Sequence, residues 1–200
     1  SDVCSSDLGL HRWRFDRTKR MSTYVTAIVA GPYHHVHDEY SGSYGTYPLG
    51  IYCRKSLAPF LDHERLFTET KQGFAFFEEQ FRFGYPFGKY DQLFCPEYNA
   101  SAMENAGCVT IYEDFIFRSK VTRLQYIQRA NTVLHELAHM WFGDLVTMRW
   151  WEDLWLNESF AEWASYWAMA QCTEYTEAWA EFLAMRKEWG YREDQLPSTH

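Results

Sequence analysis

The pentad HELAH at 135–139, with Glu158 nineteen residues after its second histidine, limits this chain more than any other stretch. Residues four apart on an α-helix lie one turn above each other, so a helix here aims the imidazoles of His135 and His139 at one point. Such a point is a metal site in outline. Zinc takes neutral imidazole nitrogen at about 2.0–2.1 Å, and catalytic sites use three protein ligands and leave the fourth position open. Glu158 is the candidate third ligand. Glu136 lies about 100° round the helix from His135 and about 60° from His139, so it can flank the point without binding there. A fold that uses this feature must return Glu158 to the face of the histidine helix.

The pentad alone is ambiguous, because two buried histidines satisfied by ordinary hydrogen bonds give the same string. Its surroundings favour the metal. Thr122 to Asp144 reads as one helix, with Leu124, Ile127, Ala130, Leu134, Leu137, Ala138 and Trp141 as the core stripe and the two histidines on its flank. LVTMRWW after Asp144 reads as extended. A second helix runs from Glu158 to about Ala170, begun by Asn157 as cap or by Ser159 and Glu162 as a capping box. A third spans Glu174 to about Trp189.

Upstream, the β-branched run Met21 to Ala30 predicts a strand closing on Gly31-Pro32, and Leu49 to Arg54 predicts another after a loop at Ser41 to Pro48. Phe67 to Phe83 predicts an amphipathic helix with Phe74, Phe77 and Phe81 inward, Glu78, Glu79 and Arg82 outward, and Gly84 as the stop. Tyr90–Phe94 and Cys108–Ile111 read as strands around a loop at Cys95 to Gly107. His34, His35 and His37 form a tempting cluster, but extended spacing puts His34 on the opposite side, and the segment reads as an exposed strand end.

Composition narrows the function. Apolar residues make up 46%, enough for a packed core, and the net charge of −8 with no basic run excludes a phosphate-tracking surface. No apolar stretch approaches the roughly eighteen residues of a spanning helix, and the start lacks a secretory layout, so no membrane partner is expected. Six of the nine tryptophans fall between positions 141 and 167, where they wall a cleft or fill a core. Five cysteines without a CxxC pair fit reduced thiols in a cytoplasmic protein, although Cys95 and Cys108 are placed to meet across a hairpin. The opening SDVCSSDLGL (1–10) lacks periodicity and is expected to be non-native or artefactual.

Beyond spacing, HELAHMWFGDLVTMRWWEDLWLNESFAEW (135–163) resembles the zinc-binding core of the aminopeptidase N family of gluzincins, whose pattern is HExxH-x18-E within WLNEG. SAMEN at 101–105 resembles that family's GAMEN motif. The resemblance covers residues 21–200, and YVTAIVAGPYHHV, RANTVLHELAHMWFGDLVTMRWW and YREDQLPSTH are similar to actinobacterial members. It implies an α+β fold: residues 11–37 end an N-terminal β domain, and 38–200 begin a thermolysin-like catalytic domain whose mixed sheet and SAMEN edge wall the cleft. It also implies one zinc per chain on His135, His139 and Glu158, Glu136 as general base toward a metal-activated water, and Glu104 holding the substrate's α-amino group. The backbone of Ala102 and Met103 would line the peptide. Substrates would be peptides with a free N-terminus, and oligomeric state is left open.

This sequence departs from the family pattern at Ser101 and Ser159, which stand where the family has glycine and so bear on channel width and loop shape. The family's transition-state tyrosine lies further beyond the zinc glutamate than the 42 residues present here, so the chain is expected to be a fragment, poorly active alone. Two rivals remain at this level: a zinc endopeptidase, and a non-catalytic module that keeps zinc for structure. Glu104→Ala separates the first. An aminopeptidase should lose about 1.5–3 kcal/mol of kcat/KM on free-amine substrates, the worth of a shielded charge-assisted contact, whereas an endopeptidase acting on blocked peptides should barely change.

Overall fold

Alternating and β-branched segments assemble into one mixed sheet, and the amphipathic segments cover it. The computed structural model describes residues 2–5 and 11–196. Two short strands, β1 (Asp2–Ser5) and β2 (His11–Arg14), pair antiparallel as a separate two-stranded ribbon. The main sheet has five strands in the order β3-β4-β5-β7-β6, comprising β3 (Tyr33–Gly42), β4 (Gly45–Arg54), β5 (Tyr90–Cys95), β6 (Ala102–Met103) and β7 (Cys108–Tyr112). The outer pairs are antiparallel, while β4-β5 and β5-β7 are parallel. With helices α1 (His63–Phe81), α2 (Arg123–His139) and α3 (Glu158–Cys172), this is an α+β architecture.

Several expectations shift. Met21 to Ala30 forms no strand; it holds a 3₁₀ turn at Thr23–Val25. Its apolar content serves docking, since Val25 is buried and its carbonyl accepts from the Ala106 amide at 3.0 Å. The expected loop at Ser41 to Pro48 is the tip of a long hairpin, in which Pro48 faces Glu39 and parallel pairing to β5 begins only at Leu49. Pro48 therefore breaks no ladder bond to β5. The exposed strand end expected around His34 to His37 is part of the ten-residue strand β3. Cys95 and Cys108 are not across a hairpin, because β5 and β7 are parallel and place them opposite Tyr112 and Asp91 at the two ends. Cys53, Cys95, Cys108 and Cys172 are free thiols. LVTMRWW is strand-like only at the isolated Phe142–Val146 bridge. The third helix is made of α4 (Ala178–Glu181), a π-helical turn (Phe182–Lys187) and α5 (Glu188–Glu193).

Between β4 and β5 the chain crosses through α1, which lies against both the sheet and α2. Its buried face carries Leu66, Phe67, Phe74 and Phe77, as the periodicity predicts. Glu78 does not face away: it is buried, accepting from the Tyr40 hydroxyl at 3.1 Å and the Tyr85 amide at 3.0 Å. The helix stops at Phe81 because Arg82 takes the left-handed conformation (φ 53°), two residues before the glycine expected to do so.

Thr122 and Gln125 close α2 at its N-terminus as a capping box. Leu124 is exposed, but Ile127, Ala130, Leu134, Leu137 and Ala138 are buried. Inside, the Arg129 guanidinium donates to Asp62 Oδ2 at 2.9 Å and lies over the Phe117 and Tyr126 rings. A buried cation so paired fixes the helix against its neighbours.

Where α1 meets α2, Gly73 leaves no room. An added Cβ would lie 2.3 Å from Leu134 Cδ2 and 2.9 Å from Leu137 Cδ2, and both leucines are fully buried. Gly73→Ala should gain about 1 kcal/mol of helix propensity and lose about 1–3 kcal/mol to overpacking. The expected outcome is a net loss of stability in chemical denaturation, greater for Gly73→Val. A stabilised alanine variant would show that the helices are not in contact there.

Candidate metal centre and cleft

The segments α2 and α3 run antiparallel, and polar rungs join them one turn apart. Asn131 Nδ2 donates to Ser165 Oγ at 2.7 Å, His135 Nδ1 donates to Glu162 Oε2 at 2.9 Å, and Glu158 lies beside both imidazoles. Small residues make the approach possible: Ala161, Ala164 and Ala168 of α3 are fully buried at three- and four-residue spacing. The register of this seam carries Glu158 to the histidines, across a linker whose length fixes nothing by itself.

At the end of the seam His135 Nε2 and His139 Nε2 are 3.0 Å apart, and Glu158 Oε2 is 3.5 Å from the first and 3.7 Å from the second. The second nitrogen of each ring is committed elsewhere. His139 Nδ1 donates to the Phe142 carbonyl at 3.1 Å, and His135 Nδ1 donates to Glu162. With both Nδ1 atoms protonated, two neutral rings present facing lone pairs, an arrangement that a cation must resolve. In the metal-free chain a proton does so. Burial opposes it, but the carboxylates of Glu158 and Glu162 outweigh burial and push the His135 pKa up to about 10, while burial and the neighbouring His135 lower that of His139.

A tetrahedral zinc at about 2.0–2.1 Å from each ligand needs ligand atoms about 3.3–3.4 Å apart, and the observed triangle of 3.0, 3.5 and 3.7 Å brackets that edge. Donor types, spacing and fixed tautomers all fit zinc.

Three further carboxyl groups crowd the back of the site. One oxygen each of Glu104 and Glu136 and a nitrogen of His139 lie within 4.8 Å of one another. Glu104 is buried, and its Oε1 accepts from the Tyr24 hydroxyl at 3.1 Å, which in turn accepts from Asn157 Nδ2 at 3.2 Å. Burial, reinforced by Glu104, Glu158 and Glu162 against the opposing His135, raises the Glu136 pKa to about 8. Asp144 is buried with both oxygens unpartnered, and burial followed by Glu104 and Glu136 raises it to about 8. Gly143 before it has φ 133°, and a Cβ there would meet Asn157 Oδ1 at 2.5 Å and His139 Nδ1 at 3.1 Å. Only glycine lets this turn close under the histidine.

The cleft in front has a volume of about 1010 Å³. Ser101 to Glu104, including the β6 residues Ala102 and Met103, line one side, and α3 with the terminal helical segment lines the other. Because β6 is the last strand of the sheet among the described residues, its outer edge has no strand partner among them and offers backbone to an extended chain. All seven residues singled out in the sequence as site candidates line this one cleft: His135, Glu136, His139, Glu158, Glu104, Ala102 and Met103. Sequence reasoning missed Tyr24, Asp144 and the role of Glu162. Glu162 does not close a capping box at α3, whose start carries no side-chain cap bond. Its position four residues after Glu158, hence on the same helical face, was the available signal.

Residues 66–200 match the peptidase family M1 domain. The chain is 58% identical over 190 residues to aminopeptidase N of Streptomyces lividans, an alignment that covers 94% of this chain and 22% of the relative. It is 39% identical over 155 residues to aminopeptidase Ey of Gallus gallus, covering 76% of this chain and 16% of that protein. With aminopeptidase M1 of Arabidopsis thaliana it shares 39% over 183 residues, covering 90% of this chain and 20% of the other. The chain thus spans about a fifth of the length of such relatives.

Asp144 supplies a test of the site's electrostatics. Its folded pKa, about 8, lies above the ordinary aspartate value of 3.8, so the folded state holds the proton more tightly and stability falls as pH rises between those values. In chelator-treated protein, Asp144→Asn should therefore gain stability over the parent by about 2–4 kcal/mol at pH 8 and little at pH 4. A pH-independent difference would show that Asp144 is not held neutral.

Proposed function

The chain belongs to peptidase family M1, and from that premise we propose that it forms the zinc centre and substrate cleft of an aminopeptidase that removes N-terminal residues from peptides. The observation that carries this reading is the buried Glu104 carboxylate lying within 4.8 Å of Glu136 and His139, at the closed side of the cleft. A fixed anion one residue's reach from the reacting centre suits a free ammonium and has no purpose for a blocked or internal peptide.

His135, His139 and Glu158 would hold the ion. Bound there, zinc supplies Lewis acidity, lowering the pKa of water and polarising a carbonyl oxygen. The chain's own residues do the rest. The edge of β6 aligns the peptide backbone by strand addition, and Tyr24 holds Glu104 toward the α-amino group. Glu136 takes the proton released as water adds to the scissile carbonyl and returns it to the amine that leaves as the C–N bond breaks. Its buried surroundings keep the transfer out of bulk solvent. Phe142 and Glu162 hold the imidazole tautomers that leave both Nε2 atoms free.

The same proposal places the protein in the cytoplasm, on its odd number of cysteines, and divides the chain at residues 37 and 38 into the end of a β domain and the start of a catalytic domain. The decisive test substitutes Glu136→Gln. It should retain one zinc per chain yet lower hydrolysis of an aminoacyl anilide by at least about 10²-fold, measured in a polypeptide extended to the length of the relatives. Undiminished hydrolysis, or loss of the metal with it, would sink the assigned role.

A further inference from the structure

The Glu162 carboxylate faces two ways. Its Oε2 accepts the Nδ1 proton of His135 at 2.9 Å, and its Oε1 lies 2.5 Å from Arg186 Nε. Arg186 belongs to the π-helical turn Phe182–Lys187, far from the metal residues in sequence. A π turn adds a residue to the helical cycle and so re-aims the side chains around it. That turn is itself fixed to α3. Tyr166 packs on the Phe182 ring at 5.0 Å and on the Trp179 ring at 6.3 Å, and its hydroxyl donates to Glu181. The guanidinium is therefore held as an ion pair beside one oxygen of the Glu162 carboxylate, next to this packed aromatic cluster.

We propose that Arg186 is a positioning residue for the metal-facing imidazole of His135, acting through Glu162. A carboxylate one turn beyond Glu158 has several rotamers, and the one adopted here reaches Nδ1. Arg186 selects it by occupying the other oxygen, leaving Oε2 to lock the ring with its Nε2 lone pair toward His139 and Glu158. Lysine would supply the charge from a more strongly hydrated and more mobile ammonium. The terminal helical segment thus becomes part of the metal centre's support without touching the ion. This rests on the zinc reading given above.

The test is a zinc affinity cycle on the 200-residue chain, by competition with a chromophoric chelator, with helix content followed by circular dichroism. Glu162→Ala should weaken zinc about 10–100-fold, the usual consequence of losing the group behind a ligating histidine. Arg186→Ala should weaken it several-fold, up to about tenfold, and Arg186→Lys should recover part of that loss. In the Glu162→Ala background, Arg186→Ala should change the affinity less than about twofold, because its route to the ring is already gone. An unchanged affinity for Arg186→Ala in the parent overturns the proposal, and so does an equal loss in both backgrounds. If Arg186→Ala unravels the terminal helix, Arg186→Gln, of similar helix propensity, decides in its place by the same criteria. His135→Ala guards the premise: zinc bound as tightly as by the parent would overturn the metal reading itself, a result distinct from any failure confined to Arg186.

Discussion

The antiparallel contact between α2 and α3 is the constraint on which the site depends. The eight residue steps of α2 from Asn131 to His139 rise about 12 Å, and the seven steps of α3 from Ser165 to Glu158 rise about 10.5 Å. The two helices therefore keep step from the Asn131–Ser165 bond to the ligand triangle. A slip of one residue on either would turn Glu158 and Glu162 about 100° away together. The alanines of α3 allow the approach, Gly73 allows α1 to press α2 from the other side, and Arg129 ties α2 to Asp62. Packing, more than any bond at the site, sets where the donors meet.

Around that seam the fold concentrates negative charge. Glu104, Glu136, Asp144, Glu158 and Glu162 surround two imidazoles, and the first three are buried. Such a cluster is stable only if protons or cations enter it. Without a bound cation, burial and mutual repulsion raise the pKa values of Glu136 and Asp144, and the flanking carboxylates raise that of His135. The chemistry proposed for the site supplies cations: zinc at the triangle, an ammonium at Glu104, and Arg186 already beside Glu162.

Strong periodicity was legible. The helices α1, α2 and α3, the strands β5 and β7 and the second half of β4 lie where apolar spacing put them, because burial on one face imposes the period. Met21 to Ala30 misled because β-branched composition signals a half-buried surface, and here that surface is a docking segment held by Val25 without a strand partner. Glu78 misled for the converse reason, since a charged residue on a helix reads as solvated until buried donors such as Tyr40 and Tyr85 are found opposite it.

By itself, then, the sequence determined the local geometry and the donor types: an i, i+4 histidine pair, a glutamate beside it, and a second acidic residue in the SAMEN stretch. It could do so because a helix fixes direction within a few residues. Only the tertiary structure decided that Tyr24 would hold Glu104, that Glu162 would lock a histidine ring instead of capping its own helix, and that Arg186 would stand behind it. Those pairings join residues separated by tens of positions, and nothing in local propensity selects among the many partners that such separations permit. The packed faces of α2, α3 and the terminal helical segment make that selection.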